Sequence, residues 1–293
     1  MEILDGKGLA KTIKEEIAIE VQSLIDDGHT PPHLVAVLVG DNPASQSYVR
    51  NKVRSCDQVK FKSTIIKKEA DISEEELLDI VSQLNKDPEV DGFIVQLPLP
   101  KHINESKITL AIDPAKDVDG FHPENLGKMM LGLPCFLPAT PFGIMQMLER
   151  YNVETSGKHC VVIGRSNIVG TPISVLLSRK ASPGNCTVTL THSRTKDIEE
   201  QVKKADIIIA AIGRANFVTP AMVKEGAVII DVGINRMDDE AATRGYRLVG
   251  DVDFDGVKDK SSFITPVPGG VGPMTVVSLI ANTLKAKRLR NNL

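Results

Sequence analysis

The chain is 293 residues long, 42% hydrophobic and 25% charged, with a formal net charge of −3. Those figures fit a soluble globule of two ordinary domains or one large α/β domain. They exclude the global positive field that nucleic acid or an anionic membrane surface would call for.

Cys56, Cys135, Cys160 and Cys186 are too far apart for a zinc spacing or a disulfide framework, so no metal is expected and a reducing cytoplasm suits the chain. The opening "MEILDGKGLAKTIKEEI" lacks a signal-peptide apolar core, and no run approaches the roughly 18 apolar residues of a membrane span. Residues 7–27 place Leu9, Ile13, Ile17, Val21, Leu24 and Ile25 at helical spacing, with Gly28 as the stop. "HLVAVLV" (33–39) is an apolar run of strand length, after which Asn42 supplies an N-cap and Pro43 a first helical residue. A second strand is predicted at 63–67, "STIIK". Ser73 and Glu76 form a capping box ahead of the helix "EEELLDIVSQLN", and "GFIVQL" (92–97) reads as a third buried strand.

From 98 to 141 the chain turns rich in proline, glycine and acids, the texture of long loops that carry sites. A helix at 141–151 then leads into a second unit. There a strand at 159–163 runs into a glycine loop and a helix, and further strands follow at 187–191, 206–211 and 227–231. This alternation is that of a doubly wound nucleotide-binding domain. The chain ends with a glycine–proline loop and a basic-tailed helix. The expected fold is therefore α/β in two domains, an N-terminal α/β substrate domain and a Rossmann-like one.

The glycine loop reads "VVIGRSNIVG", with Gly164, Ser166 and Gly170 in place of the usual G-x-G-x-x-G. Gly164 can turn sharply so that backbone N–H groups approach a pyrophosphate, and Gly170 lets the following helix press on the sheet. A tight turn without a ligand has the same appearance. The second strand of the unit runs out into "THSRT", which offers Ser193 and Arg194 where NAD enzymes place an acid, and Arg165 lies in the loop itself. Guanidinium and hydroxyl groups suit a 2′-phosphate that a carboxylate would repel, which favours NADP. His192, adjacent at the strand end, reads as packing rather than chemistry.

In "SQSYVRNK", Tyr48 precedes Lys52 by four residues, so both share one helix face, next to an apolar stripe of Val49, Val53 and Cys56. The Tyr-x-x-x-Lys pair of short-chain dehydrogenases lies downstream of their glycine loop, within the same domain; here it lies more than a hundred residues upstream. "YVRNK", "GFIVQLPLP", "DPAKDVDGFHP", "GRSNIVG", "DVGIN" and "ITPVPGGVGPMTV" occur in this order. By these motifs the whole chain resembles the bifunctional methylenetetrahydrofolate dehydrogenase/methenyltetrahydrofolate cyclohydrolase family.

The resemblance implies oxidation of 5,10-methylenetetrahydrofolate with NADP and hydrolysis of the methenyl product to 10-formyltetrahydrofolate. It implies a folate site lined by Tyr48, Lys52, Val95, Gln96, Leu97 and Asp119, with Tyr48, Lys52, Gln96 and Asp119 catalytic, and a covering loop from Pro268 through Gly269 and Gly270 to Thr275. It also implies that Gly164, Arg165, Ser166, Ser193, Arg194 and Ile234 bind NADP, and that the protein is a homodimer. Its domains would be 1–140, completed by the helix of 272–293, and 141–271. Two departures, "KASPGNC" at 180–186 and "DQVKF" at 57–61, sit away from these residues.

The chemistry suits the residue types. Hydride loss from a methylene between two nitrogens is driven by a lone pair, so orientation against the nicotinamide is the main requirement, and a flat Tyr48 ring can wall the substrate. Water addition needs proton transfer, which a lysine amine serves where burial or a neighbouring cation favours its neutral form. Gln96 can orient Lys52 without a carboxylate's charge, although a strand-end amide needs no such role. Asp119 can accept from the amino and ring N–H groups of a pterin, or, like Asp117, cap the turn in "DVDG". His122 and the glycines of the last loop have structural readings too, as a spacer and a connector. Other two-domain dehydrogenases, of shikimate or amino-acid type, and an inactive NADP-binding scaffold are the alternatives.

Overall fold

A computed structural model describes residues 1–239, 245–291 and 293. In chain order its elements are β1 (Glu2–Ile3), α1 (Gly6–Asp26), β2 (His33–Val39), α2 (Pro43–Gln58), β3 (Lys62–Lys68), α3 (Glu74–Lys86), β4 (Gly92–Val95), α4 (Glu105–Ala111), α5 (Pro123–Leu131), α6 (Ala139–Arg150), β5 (His159–Ile163), α7 (Gly170–Ser178), β6 (Thr187–Thr191), α8 (Ile198–Val202), β7 (Ile207–Ala210), β8 (Ala227–Asp231), β9 (Asn235–Asp238), β10 (Tyr246–Val249), α9 (Phe254–Val257), β11 (Ser261–Ile264) and α10 (Val271–Asn291). The chain divides into two compact units, Lys11–Ala139 with Val276–Leu293, and Met1–Ala10 with Thr140–Thr275. Among the described residues no helix is long and apolar enough to cross a membrane.

The unit containing Lys11–Ala139 is built on a three-stranded parallel sheet in the order β3-β2-β4. β2 is the central strand and is buried along its whole length, as its unbroken apolar run requires. β3, at the edge, is mostly exposed and carries Lys62, Lys67 and Lys68, which blunts a free edge. Val35, Val37, Phe93 and Val95 of the sheet pack with Leu77, Val81 and Leu84 of α3 and with Ile103 and Ile108. Ser73 and Glu76 make the reciprocal capping box that opens α3. Asn42 accepts from the Ser45 N–H at 3.2 Å ahead of Pro43, the first residue of α2.

The stretch 98–141, expected as loop, holds α4 and α5. Both are short and locally encoded. Asn104 caps α4. His122 accepts the Glu124 N–H ahead of Pro123 in α5, which closes on a left-handed Gly132. His122 is thus a capping group.

The other unit holds a six-stranded parallel sheet in the order β1-β11-β8-β7-β5-β6. The strands at 159–163, 187–191 and 227–231 fall where the apolar runs predict them. Glu2 and Ile3 pair in parallel with Phe263 and Ile264, which fastens Met1–Ala10 to this unit. β9 and β10 form an antiparallel pair outside the main sheet.

Candidate active site

The pattern of α2 fixes its orientation. Val49, Cys56 and Val59 are buried, Val53 is half-buried, and this stripe presses the helix on its sheet. One face round, Lys52 is buried, while Tyr48, one turn earlier, exposes 42% of its surface. The Lys52 Nζ donates to Gln96 Oε1 at 3.2 Å. Gln96 is held from both ends. Its backbone N–H donates to the Val37 carbonyl just past β4, and its side-chain Nε2 donates to the Leu97 carbonyl at 2.8 Å. That second bond turns the amide oxygen toward the lysine. A neutral acceptor therefore faces the buried amine.

Asp119 stands on the turn after α4. Burial pushes its carboxyl above the usual carboxylate range; the Lys52 ammonium pulls it back and Asp117 pushes it up further. The lysine and the aspartate are thus within electrostatic reach of each other. Val95, Leu97 and Asp119 share, with Asp117 and Phe121, the wall of a cavity of about 20 Å³, room for about one water.

Asp117 does the turn's structural work. It accepts from the backbone N–H groups of Phe121 and His122 and from the Asn125 amide. Asp119 is left for other use. Gly120 has φ +75°, and a Cβ there would sit 2.6 Å from the Leu137 carbonyl oxygen, so the segment around Leu137 closes directly on this turn. The turn is held by a group the sequence reading missed. Asn282, buried in α10, donates both amide hydrogens, to the Val118 carbonyl at 2.8 Å and the Leu137 carbonyl at 2.9 Å. An Asn inside the apolar run "SLIANTL" is the only trace of this in the sequence.

In the second unit, Gly164 ends β5 with φ +117°, and a Cβ there would lie 2.1 Å from the Ala211 carbonyl oxygen. A side chain is excluded, so the loop backbone stays open to a ligand. Ser166 Oγ accepts the N–H groups of Val169 and Gly170 at the mouth of α7. Arg165, Ser166, Ser193 and Arg194 are exposed, and among the described residues neither guanidinium has an ion-pair partner. The stretch His192–Lys196 directly after β6 has no carboxylate, and there His192 accepts the Arg194 N–H. Ile234, half exposed, lies between β8 and β9.

These residues fit a dinucleotide carrying an extra phosphate: an open glycine loop, exposed guanidinium groups and a hydroxyl, and no acid directly after β6. Pro268, Gly269 and Gly270 belong to this unit, and the Gly269 carbonyl accepts the Lys7 N–H at 2.8 Å. Thr275 meets the Thr140 hydroxyl at 3.0 Å.

Residues 4–119 match the model of the tetrahydrofolate dehydrogenase/cyclohydrolase catalytic domain, and residues 138–291 that of the NAD(P)-binding domain of the same family. The bifunctional protein FolD of Flavobacterium johnsoniae is 60% identical over 99% of both chains, and that of Bacteroides fragilis 57% over 98% of both. Among solved structures, the bifunctional FolD methylenetetrahydrofolate dehydrogenase/cyclohydrolase of Campylobacter jejuni aligns with a TM-score of 0.93 at 46% identity, covering 100% of both chains. The Trypanosoma brucei enzyme, solved with NADP cofactor and an inhibitor, aligns with a TM-score of 0.93 at 36% identity over 99% of this chain and 98% of that one. With both halves matched and its length covered throughout, the chain belongs to the tetrahydrofolate dehydrogenase/cyclohydrolase family.

Proposed function

We propose that the protein oxidises 5,10-methylenetetrahydrofolate to the 5,10-methenyl compound with NADP and then hydrolyses that cation to 10-formyltetrahydrofolate. The observation that carries the reading is the buried Lys52 amine bonded to the neutral Gln96 oxygen, one helical turn from an exposed tyrosine ring and within reach of the Asp119 charge. Bound NADP supplies the hydride acceptor. What the chain itself contributes to that step is placement: Tyr48 walls the flat substrate, and Asp119 accepts from the amino and ring N–H groups of the pterin.

In the second step water adds to the methenyl carbon, the carbon–N5 bond opens, and the formyl group remains on N10. Lys52 takes one proton from the attacking water and delivers it to the departing N5, while the second leaves the resulting hydroxyl for solvent as the formyl C=O forms. Gln96 holds the amine in place without pairing it with a negative charge. Val95 and Leu97 flank the substrate, and Pro268, Gly269, Gly270 and Thr275 belong to the loop that covers it.

Arg165, Ser193 and Arg194 hold the 2′-phosphate; Gly164, Ser166 and Ile234 hold the rest of the dinucleotide. The Lys11–Ala139 unit with Val276–Leu293 is the folate unit and Thr140–Thr275 the cofactor unit. Family resemblance supports a homodimer working in the cytoplasm.

Absorbance tests the whole reading. Methylenetetrahydrofolate with NADP is expected to give the methenyl chromophore, and added methenyl compound to decay faster than in buffer. No chromophore with either NADP or NAD would overturn it.

A further inference from the structure

Among the described residues of the Thr140–Thr275 unit, two buried carboxylates, Asp231 and Asp251, are left over once the cofactor contacts are assigned. We propose that Asp251 is a positioning residue for the dinucleotide, fixing on one side the backbone against which Gly164 rests and on the other the segment that carries Ile234. The proposal rests on the reading of Gly164 and Ile234 as cofactor contacts.

Asp251 is completely buried. Its Oδ2 accepts the N–H groups of Ile212 and Gly213 at 2.7 and 2.8 Å, and its Oδ1 accepts the Asn235 side-chain amide at 2.9 Å. Ala211 to Gly213 is the turn that leaves β7, and the Ala211 carbonyl is the atom a Cβ at Gly164 would strike. That turn is therefore the floor of the glycine loop. Asn235 follows Ile234 directly and begins β9.

Asp251 is itself held by Asp231 at the end of β8. Asp231 Oδ1 accepts the N–H groups of Asp251 and Gly233, both at 2.9 Å, and its Oδ2 accepts that of Val252 at 2.9 Å. Two linked carboxylates thus tie together the chain as it leaves β7 and β8, at the carboxyl ends of parallel strands, where ligands bind.

The residue type follows from the task. A carboxylate has lone pairs for several donors at once, and bonds to an ionised acceptor are shorter and stronger than neutral ones. Burying two acids side by side is unfavourable, and burial raises the Asp231 carboxyl to about 6. The apolar core of this unit, with Val161, Ile208 and Ile229, consists of other side chains. The acceptor atoms of both acids are spent on the exits of β7 and β8 and the segment around Asp251. A floor held this way stays in place before the cofactor arrives, so binding does not have to order it.

Titration calorimetry of the full chain with NADP tests this, paired with the rate of methenyl hydrolysis, which requires no hydride acceptor. Asp251→Ala is expected to weaken NADP about tenfold or more while hydrolysis keeps its kcat/KM. Asp251→Asn should recover most of the affinity, since its one oxygen can still take both turn N–H groups and the Asn235 amide can rotate. Asn235→Ala, a milder cut that leaves the buried acid in place, should weaken NADP severalfold, and it decides the matter should Asp251→Ala not fold.

Wild-type affinity in Asn235→Ala would overturn the proposal. So would loss of hydrolysis in step with loss of NADP binding, the mark of general destabilisation. A wild-type chain that binds no NADP would instead refute the reading of the cofactor site.

Discussion

Lys52 is separated from a surface lysine by its surroundings: a buried amine, a neutral acceptor, and a partly protonation-prone carboxyl nearby. Lys52→Met keeps the bulk and removes the amine. It should lower methenyl hydrolysis by about 10²- to 10⁴-fold, the usual worth of a positioned acid or base, while much hydride transfer survives. Full hydrolysis in this variant would remove Lys52 from the mechanism. The cofactor end allows an equally local test. Arg165 has an exposed guanidinium, without an ion-pair partner among the described residues, beside the glycine loop, and a phosphate is the group it would grip most strongly. Arg165→Ala should raise the KM for NADP by roughly tenfold and leave that for NAD nearly unchanged, because only the 2′-phosphate distinguishes them. Equal loss with both nucleotides would refute the role.

At the level of elements, α10 reaches the turn that carries Asp119 through one amide. Asn282 is buried and has both donors on carbonyls, so Asn282→Ala leaves two buried acceptors without partners. The expected cost is about 1–3 kcal/mol in a denaturant melt, together with a raised KM for folate in both reactions and an unchanged KM for NADP. Equal rises for both ligands would mean that the helix acts only through stability. Nothing in the sequence ties position 282 to 118, whereas the strands at 33–39, 159–163 and 227–231 are plain in it, since fully buried parallel strands must be continuous apolar runs. The helices at 105–111 and 123–131 were hidden by proline and glycine, though both residues mark helix ends there: Pro123 opens α5 and Gly132 closes it. β1, with two residues, and β9 and β10, with four each, carry no pattern long enough to read. Lys52, Gln96 and Asp119 were recognisable as members of motifs. Asp251 and Asn282 were not, because a buried hydrogen-bonding role depends on partners far away in the chain.

At the scale of the whole molecule, the two units repeat one construction. In each, the first strand of the run is central, the second pairs on one side of it and the third on the other, β3-β2-β4 and β6-β5-β7. Each central strand opens on a histidine fastened in the same manner. The backbone N–H groups of His33 and His159 donate to Asp91 and Asp206, just ahead of the third strand. Their Nδ1 atoms meet the carbonyls of Glu89 and Lys204, and their Nε2 atoms the hydroxyls of Thr64 and Thr189 on the second strand. Such a histidine bridges three strands at their starting edge, and at position 33 it makes stability depend on pH. Burial pulls the His33 imidazole below its ordinary value of 6.5, outweighing the Glu89 carbonyl, Asp91 and Asp87, while Lys62 adds to the fall. The unfolded chain then binds the proton more readily than the folded one, so His33 should remove stability as the pH falls through about 6.5. Asp91, Asp119 and Asp231 have raised carboxyls and act in the opposite sense, adding stability on acidification, for Asp231 from about 6 downward. A single acid melt mixes the two signs. Comparison with His33→Gln, whose amide can still serve Thr64, separates them: the gap in melting temperature between wild type and variant should narrow from pH 7.5 to pH 5 (on the order of the usual histidine range), because only the wild type has an imidazole to protonate. A gap that stays constant across that range would show that His33 titrates alike in the folded and unfolded chain.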